Sequence, residues 1–341
     1  MILIRKLLFP FAILYGFVTA IRNFLYDKAV LKSFSFDVPV IAVGNLSVGG
    51  TGKTPQIEYL IRMLQENYQV ATLSRGYKRK SKGFLLANSK STVSDLGDES
   101  FQYHTKFHNL QVAVDADRVN GISQLLHQTI PPQVILLDDA FQHRRVKAGF
   151  YVLLTAFDDL YIDDFMLPTG NLREYQSGAK RASVVIVTKC PIDLSEKQRL
   201  EIEKKLQVKS YQKLFFSSIS YDEFVYSETT KKAIKEIKES EKLLVSGIAK
   251  PKPFYDFVQK DSDEKLTFND HHDFTESDID SIRNKSKGKI IVTTEKDYMR
   301  LKGKLKPEKL FYLPIKSTFI QNELEFINTI KNYVEQSTRN R

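Results

Sequence analysis

Lys53 and Thr54 carry the clearest chemistry in the sequence. They close the run Gly44-Asn45-Leu46-Ser47-Val48-Gly49-Gly50-Thr51-Gly52-Lys53-Thr54, which follows an apolar stretch at 38–43 and precedes a helical pattern near 54–66. A strand, a glycine-rich turn ending in Gly-Lys-Thr, and a helix form the setting of a Walker A phosphate loop. Glycines let backbone N–H groups curl around a polyphosphate, and the next helix points its amino end at the same anion. Ser47, Val48, Gly49, Gly50, Thr51 and Gly52 are therefore expected to cradle the phosphates of ATP. Lys53 should reach the β- and γ-phosphates, and the Thr54 hydroxyl should ligate Mg²⁺. Pro55 suits the first helical turn, where its missing N–H is not needed. Ser47 stands where the strict pattern has its first glycine, so the assignment rests on the GGTGKT run and its setting.

The acids come next. The apolar run 134–137 ends in Asp138-Asp139, and in phosphate-loop enzymes an acid at a strand end holds the Mg²⁺ shell. Gln142 and His143 follow within a turn and can contact phosphate or the attacking group. Asp98 and Glu99 open a helical pattern; capping explains them without any catalytic role, because acids favour a first helical turn. Asp270-His271-His272 admits two readings, a metal ligand or a histidine that orients a carboxylate; with Cys190 the only cysteine, structural zinc is disfavoured. Thr293-Thr294-Glu295-Lys296-Asp297 follows another apolar run. It reads as a helix start whose loop can also touch the nucleotide.

These residues need a scaffold. Apolar runs at 38–43, 70–73, 111–114, 134–137, 151–154 and 184–187 alternate with helical patterns near 54–66, 98–107, 116–128 and 195–206. That alternation predicts an α/β fold, a mostly parallel sheet covered by helices, with ligands beyond the carboxyl ends of its strands. After about residue 217 the texture becomes more charged, and a new series of strands is expected at 243–245, 266–268, 290–292 and 311–313, with a last helix near 321–335. The chain is thus expected to divide into 1–30, a nucleotide-binding unit at 31–217 and a smaller α/β unit at 218–341. A chain of 341 residues suits about two domains.

Net charge is +10. That balance favours anionic partners: nucleic acid, phosphorylated substrates or an acidic membrane surface. The basic segment Arg75, Lys78, Arg79, Lys80, Lys82 contains no acid and sits at the ligand edge of the expected sheet. At the amino terminus, the uncharged run between Lys6 and Arg22 is fifteen residues long, short of the roughly 20 a spanning helix needs. Three readings are open: an interfacial helix, a buried core helix, and a cleaved signal peptide. Phe9, Ile13, Phe17, Ile21, Phe24 and Leu25 recur at helical spacing beside Arg5, Lys6, Arg22 and Lys28, which favours the interfacial one. Two rival functions are weaker. A GTPase would show an Asn/Thr-Lys-x-Asp run, but Pro191 breaks it after Thr188-Lys189-Cys190. A nucleic-acid-binding protein would carry a recognised module, and none is present.

Taken together and in order, the motifs resemble the tetraacyldisaccharide 4′-kinase family of lipid A biosynthesis. The resemblance spans nearly the whole chain: Leu14-Tyr15-Gly16, Val43 through Pro55, Ser74-Arg75-Gly76-Tyr77, Gly97-Asp98-Glu99, Asp138 through His143, Leu167 through Glu174, Phe268 through His272, and Thr293 through Asp297. Ser47 in the phosphate loop is also a family feature. The resemblance implies Mg²⁺-ATP-dependent phosphorylation of the 4′-hydroxyl of a tetraacyldisaccharide 1-phosphate. It implies a place at the cytoplasmic face of the bacterial inner membrane; separately, a monomer is expected, and no nucleic-acid partner. It further implies Asp98 as catalytic base with His271 as its partner, and Asp138 and Asp139 as metal and phosphate shell. Tyr77, Glu99, Arg118, Gln142, Asn171, Arg173 and Glu174 become sugar-side contacts, and Thr293 and Lys296 adenine-side contacts.

Overall fold

The computed structural model describes residue 5 and residues 7–339, so Lys6 lies outside the described residues. The chain builds two sheets. The larger has nine strands in the order Ile315–Phe319, Lys213–Tyr221, Val184–Thr188, Phe150–Ala156, Val40–Asn45, Val134–Asp138, Val70–Ser74, Gln111–Val114, Leu85–Leu86. Interior pairings are parallel, and the two edge strands run antiparallel. The central strands are buried along their length, which is why they read as continuous Val/Ile/Leu runs rather than alternating ones. Helix Lys53–Gln65 buries Ile57, Leu60, Ile61 and Leu64 against one face. Helix Arg118–Leu126 covers the other with Ile122 and Leu125.

The smaller sheet runs Lys231–Ala233, Phe224–Tyr226, Leu310–Leu313, Ile290–Thr294, Lys242–Ser246, Glu264–Thr267. The expected continuous unit at 218–341 needs correcting. Strand Lys213–Tyr221 belongs to the large sheet, and after Leu313 the chain returns to it. Ile315 pairs with Tyr221 and Phe319 with Ser217. Helix Glu323–Arg339 then buries Phe326, Ile330 and Val334 among Ile41, Ile57 and Val152. The small sheet is therefore inserted between two neighbouring strands of the large one. The reason lies in the last helix: its stripe at i, i+4, i+8 needs a core, and the large sheet supplies it.

Helix Phe9–Asp27 has nineteen residues, longer than its uncharged run, with Pro10 in the first turn. Only a narrow stripe, Ala12 and Gly16, is buried, while Phe9, Phe11, Ile13, Leu14, Phe17, Val18, Ile21 and Phe24 are exposed. A core helix it is not. A Cβ at Gly16 would meet the Tyr175 hydroxyl, so the tyrosine ring would have to move aside.

Candidate active site

Strand Val40–Asn45 lies between Val134–Asp138 and Phe150–Ala156, and the chain leaves it to build outward on both sides. The crevice beyond such a switch point is where parallel sheets bind ligands. The phosphate loop fills it. Gly52 caps helix Lys53–Gln65 at φ +81°, a left-handed conformation that glycine adopts without a Cβ penalty. The loop is pinned from outside: Val48 N–H donates to Asn171 O at 2.7 Å, and Ser47 bridges to Leu172. The Thr188 hydroxyl donates to Thr51 O at 2.7 Å, and Lys189 Nζ to Gly50 O at 2.5 Å. The segment compared above with a guanine motif thus serves as a brace for the loop. Lys53 Nζ donates to Asn45 Oδ1 at 3.3 Å and lies 3.7 Å from Asp139 Oδ1.

Register places Val43 opposite Asp138, so the carboxylate pair emerges beside the loop. Asp138 is buried, and its Oδ2 accepts from the Tyr103 hydroxyl at 3.2 Å. Its Oδ1 has no hydrogen-bond partner among the described residues. Burial pushes the Asp138 carboxyl up to about 7, against the pull of Lys53. A buried carboxylate oxygen left open, next to a helix that begins Lys53-Thr54, is a donor set of the hard-oxygen kind that suits Mg²⁺. Asp139 is held by the Arg173 fork, at 2.8 and 3.0 Å.

The second centre forms where the sheets meet. Asp98 begins helix Asp98–Lys106 and is buried. Arg300 Nε donates to its Oδ1 at 3.0 Å, Arg300 Nη2 engages Oδ2, and His271 Nδ1 lies 3.1 Å from Oδ2. Burial alone would raise this carboxyl, but the His271 and Arg300 hydrogen bonds and charge outweigh it and hold it at about 2. His271 sits at φ +57°, and its Nε2 is 2.8 Å from Lys296 Nζ. His271 Nδ1 also lies 3.0 Å from Arg300 Nη2, so the imidazole joins Lys296, Arg300 and Asp98 in one cluster. Tyr77 is exposed and meets His271 edge-on, ring centroids 5.6 Å apart. Thr293 is fully buried, with its hydroxyl oxygen unpartnered among the described residues, and Lys296 Nζ lies against His271.

Among the remaining expected contacts, Gln142 Nε2 donates to Asn45 O and Glu174 Oε1, both at 2.9 Å. Glu174 is buried and also accepts from Arg181 at 2.7 Å and from Asn23 of the first helix at 2.8 Å. Its oxygens are occupied, so it ties the loop to that helix. Asn171 N–H is held by Asp164, and its Oδ1 accepts from Arg5 at 3.0 Å. Arg118 is buried, with Nη1 donating to Asp115 O and Ala116 O at 3.2 Å each. Burial brings its guanidinium down to about 10 despite Asp138 and Asp139 nearby. Glu99 lies beside the Asp138–Tyr103 contact, close enough to raise both groups.

Sequence reasoning missed Tyr103 and Arg300. Tyr103 sits five residues past Asp98 and reaches both Asp138 and Thr54, so one helix links the two centres. Arg300 lies four residues after Lys296 on helix Glu295–Leu301, and that i, i+4 spacing was the only available signal.

A phosphate loop with an open carboxylate and a second carboxylate within the same unit define a phosphoryl-transfer enzyme of the P-loop class. Residues 4–335 match the family model described as Tetraacyldisaccharide-1-P 4′-kinase, and the chain belongs to that family. Similar proteins include the tetraacyldisaccharide 4′-kinase of Flavobacterium johnsoniae, 61% identical over 98% of each chain. That of Bacteroides thetaiotaomicron is 45% identical, over 99% of this chain and 95% of its own. The crystal structure of LpxK from Aquifex aeolicus in complex with ATP superposes with a TM-score of 0.79 at 31% identity, covering 97% of this chain and 99% of that one.

Proposed function

We propose that the chain transfers the γ-phosphate of ATP to the 4′-hydroxyl of a tetraacyldisaccharide 1-phosphate, at the cytoplasmic face of the bacterial inner membrane, acting as a monomer. The observation that carries this reading is the convergence of the phosphate loop, Asp138 and Asp98 in a chain of this family. Lys53 draws charge from the transferring phosphoryl oxygens, and Thr54 with Asp138 and Asp139 would hold Mg²⁺. When bound, that ion neutralises phosphate charge. Asp98 accepts the sugar proton as the O4′–P bond forms and the bond from Pγ to the bridging oxygen breaks, releasing ADP. A carboxylate near 2 is a weak base, yet a loose transition state asks for little proton abstraction before transfer, so orientation counts more than basicity. Arg173 offers a planar fork to phosphate, and Tyr77, Asn171 and Arg118 border the sugar side. Glu174 and Gln142 position these loops.

The first helix supplies the membrane contact. Its exposed aromatic and aliphatic face bears Phe9, Phe17 and Phe24, while Arg5 and Arg22 tie it to the sugar-side loops through Pro168 O and Gln142 O. A helix seated in the headgroup layer would bring the lipid sugar to the site. Incubation with γ-labelled ATP and tetraacyldisaccharide 1-phosphate in mixed micelles tests the proposal. Label in the lipid, lost with GTP or with Lys53→Ala, is expected. Label only in free phosphate would refute it.

A further inference from the structure

Helices Asp98–Lys106 and Glu295–Leu301 run past each other in opposite directions, with an ion pair at each end. Lys106 Nζ meets Glu295 at 2.8 and 3.0 Å and also holds Glu58 at 2.7 Å; Arg300 meets Asp98 at the other end. One helix starts from the large sheet's unit and the other from the small sheet's. The second is firmly set: Thr294 caps it by accepting from Asp297 N–H at 3.2 Å, and Asp297 accepts from Gly247 N–H at 2.8 Å. This frame delivers the Arg300 fork to both oxygens of Asp98, and Arg300 Nη1 donates to His272 O at 3.3 Å.

We infer that Arg300 is a positioning residue for phosphoryl transfer, acting through Asp98 by fixing the orientation and charge of that carboxylate from the small-sheet unit. This rests on Asp98 being the base. A two-point fork sets the plane of a carboxylate, which a single imidazole contact cannot do. An ionised carboxylate offers about four acceptor sites, so a sugar hydroxyl still finds one. Removing the guanidinium strands a buried carboxylate whose neighbours cannot replace it. His271 is oriented by Lys296 from the same helix face, Asp270 lies 4.0 Å from both His271 and Lys296, and Lys78 reaches only the His271 carbonyl, at 3.5 Å. Asp273 and Asp297 add only negative charge around the pair.

Steady-state kinetics against pH with MgATP and the tetraacyl disaccharide tests the role, using Arg300→Met, Arg300→Lys and both in an Asp98→Asn background. Arg300→Met should lower kcat by up to about 10²-fold, the cost of a misplaced group, with KM for ATP within roughly twofold. Its acidic limb should move up by about 1–3 pH units, because the loss of a neighbouring cation raises a carboxyl by that much. Arg300→Lys keeps the charge, so its limb should stay low while kcat recovers only in part. In Asp98→Asn, Arg300→Met should change the residual rate less than about twofold, since both act on one step. Equal losses in both backgrounds with an unmoved limb would show an interdomain strut and overturn the inference. An Asp98→Asn enzyme with full kcat would instead remove the base itself, and the inference with it.

Discussion

Two buried carboxylates, one at a helix start and one at a strand end, stand in opposite states. Asp138 is raised to about 7 by burial, with one oxygen open; Asp98 is held at about 2 by an arginine fork and an imidazole. Both leave water, so burial alone cannot explain the contrast. The difference lies in what the protein itself supplies. Asp98 receives its cation from the small-sheet unit in direct hydrogen bonds, whereas Asp138 has Lys53 and Arg118 nearby but accepts from neither among the described residues, and would be completed by an ion that arrives with nucleotide. Held at about 2 against an ordinary 3.8, the ionised Asp98 is favoured by roughly 2–3 kcal/mol. Separate environments that push two carboxyls apart mark separate roles.

The largest effect is expected at Asp98. Asp98→Ala should cut kcat by about 10²–10⁴ with little change in ATP binding, the usual span for a general base. His271→Ala should cost less, and the double variant less than the sum of the two; additive losses would mean independent roles. Lys53→Ala should cut turnover by about 10²–10³, as removal of a transition-state donor does. It also strips Asp138 of a nearby cation, sharpening the contrast. Near-wild-type activity would end the phosphate-loop assignment.

At the proposed Mg²⁺ site, proton and metal ion would compete for Asp138. Apparent Mg²⁺ affinity of the ATP-bound enzyme should therefore weaken by up to about tenfold per pH unit below 7. Titration at pH 6, 7 and 8 checks this, and Asp138→Asn should flatten the dependence. The stability signs are opposite as well. Asp98, depressed, contributes stability above about 4 that is lost as pH falls towards 2; Asp138, raised, makes the metal-free fold less stable as pH climbs from about 4 through 7. Chemical denaturation across pH, with Asp98→Asn and Asp138→Asn as controls, separates the two. The smallest effect on chemistry should follow deletion of residues 1–25. Both carboxylates stay, so ATP turnover should fall less than partition onto anionic liposomes. Equal partition of full-length and truncated chains would remove the interfacial role.

Much of this was readable beforehand, for physical reasons. The central strands announce themselves as apolar runs because both faces are covered, and the phosphate loop because its conformation demands glycine and its chemistry demands lysine. Asp138 was legible from its place at a strand end. Spacing alone did not single out Asp98: an acid at a helix start looks like a cap, and apart from the family resemblance only its encounter with His271 and Arg300, more than 170 residues away, points to a role. The return of Ile315–Phe319 to the large sheet was equally hidden. Its alternating Ile-Lys-Ser-Thr-Phe pattern suits an edge strand of either sheet, and pairing across the inserted unit decides which.

The most direct measurement is the location of the phosphate the enzyme adds. Phosphorus–proton correlation NMR of the lipid recovered after reaction with ATP should show a new phosphate coupled to the proton on the 4′ carbon, absent with Asp98→Ala. A phosphate on any other hydroxyl, or lipid returned unchanged while ATP is consumed, would contradict the account.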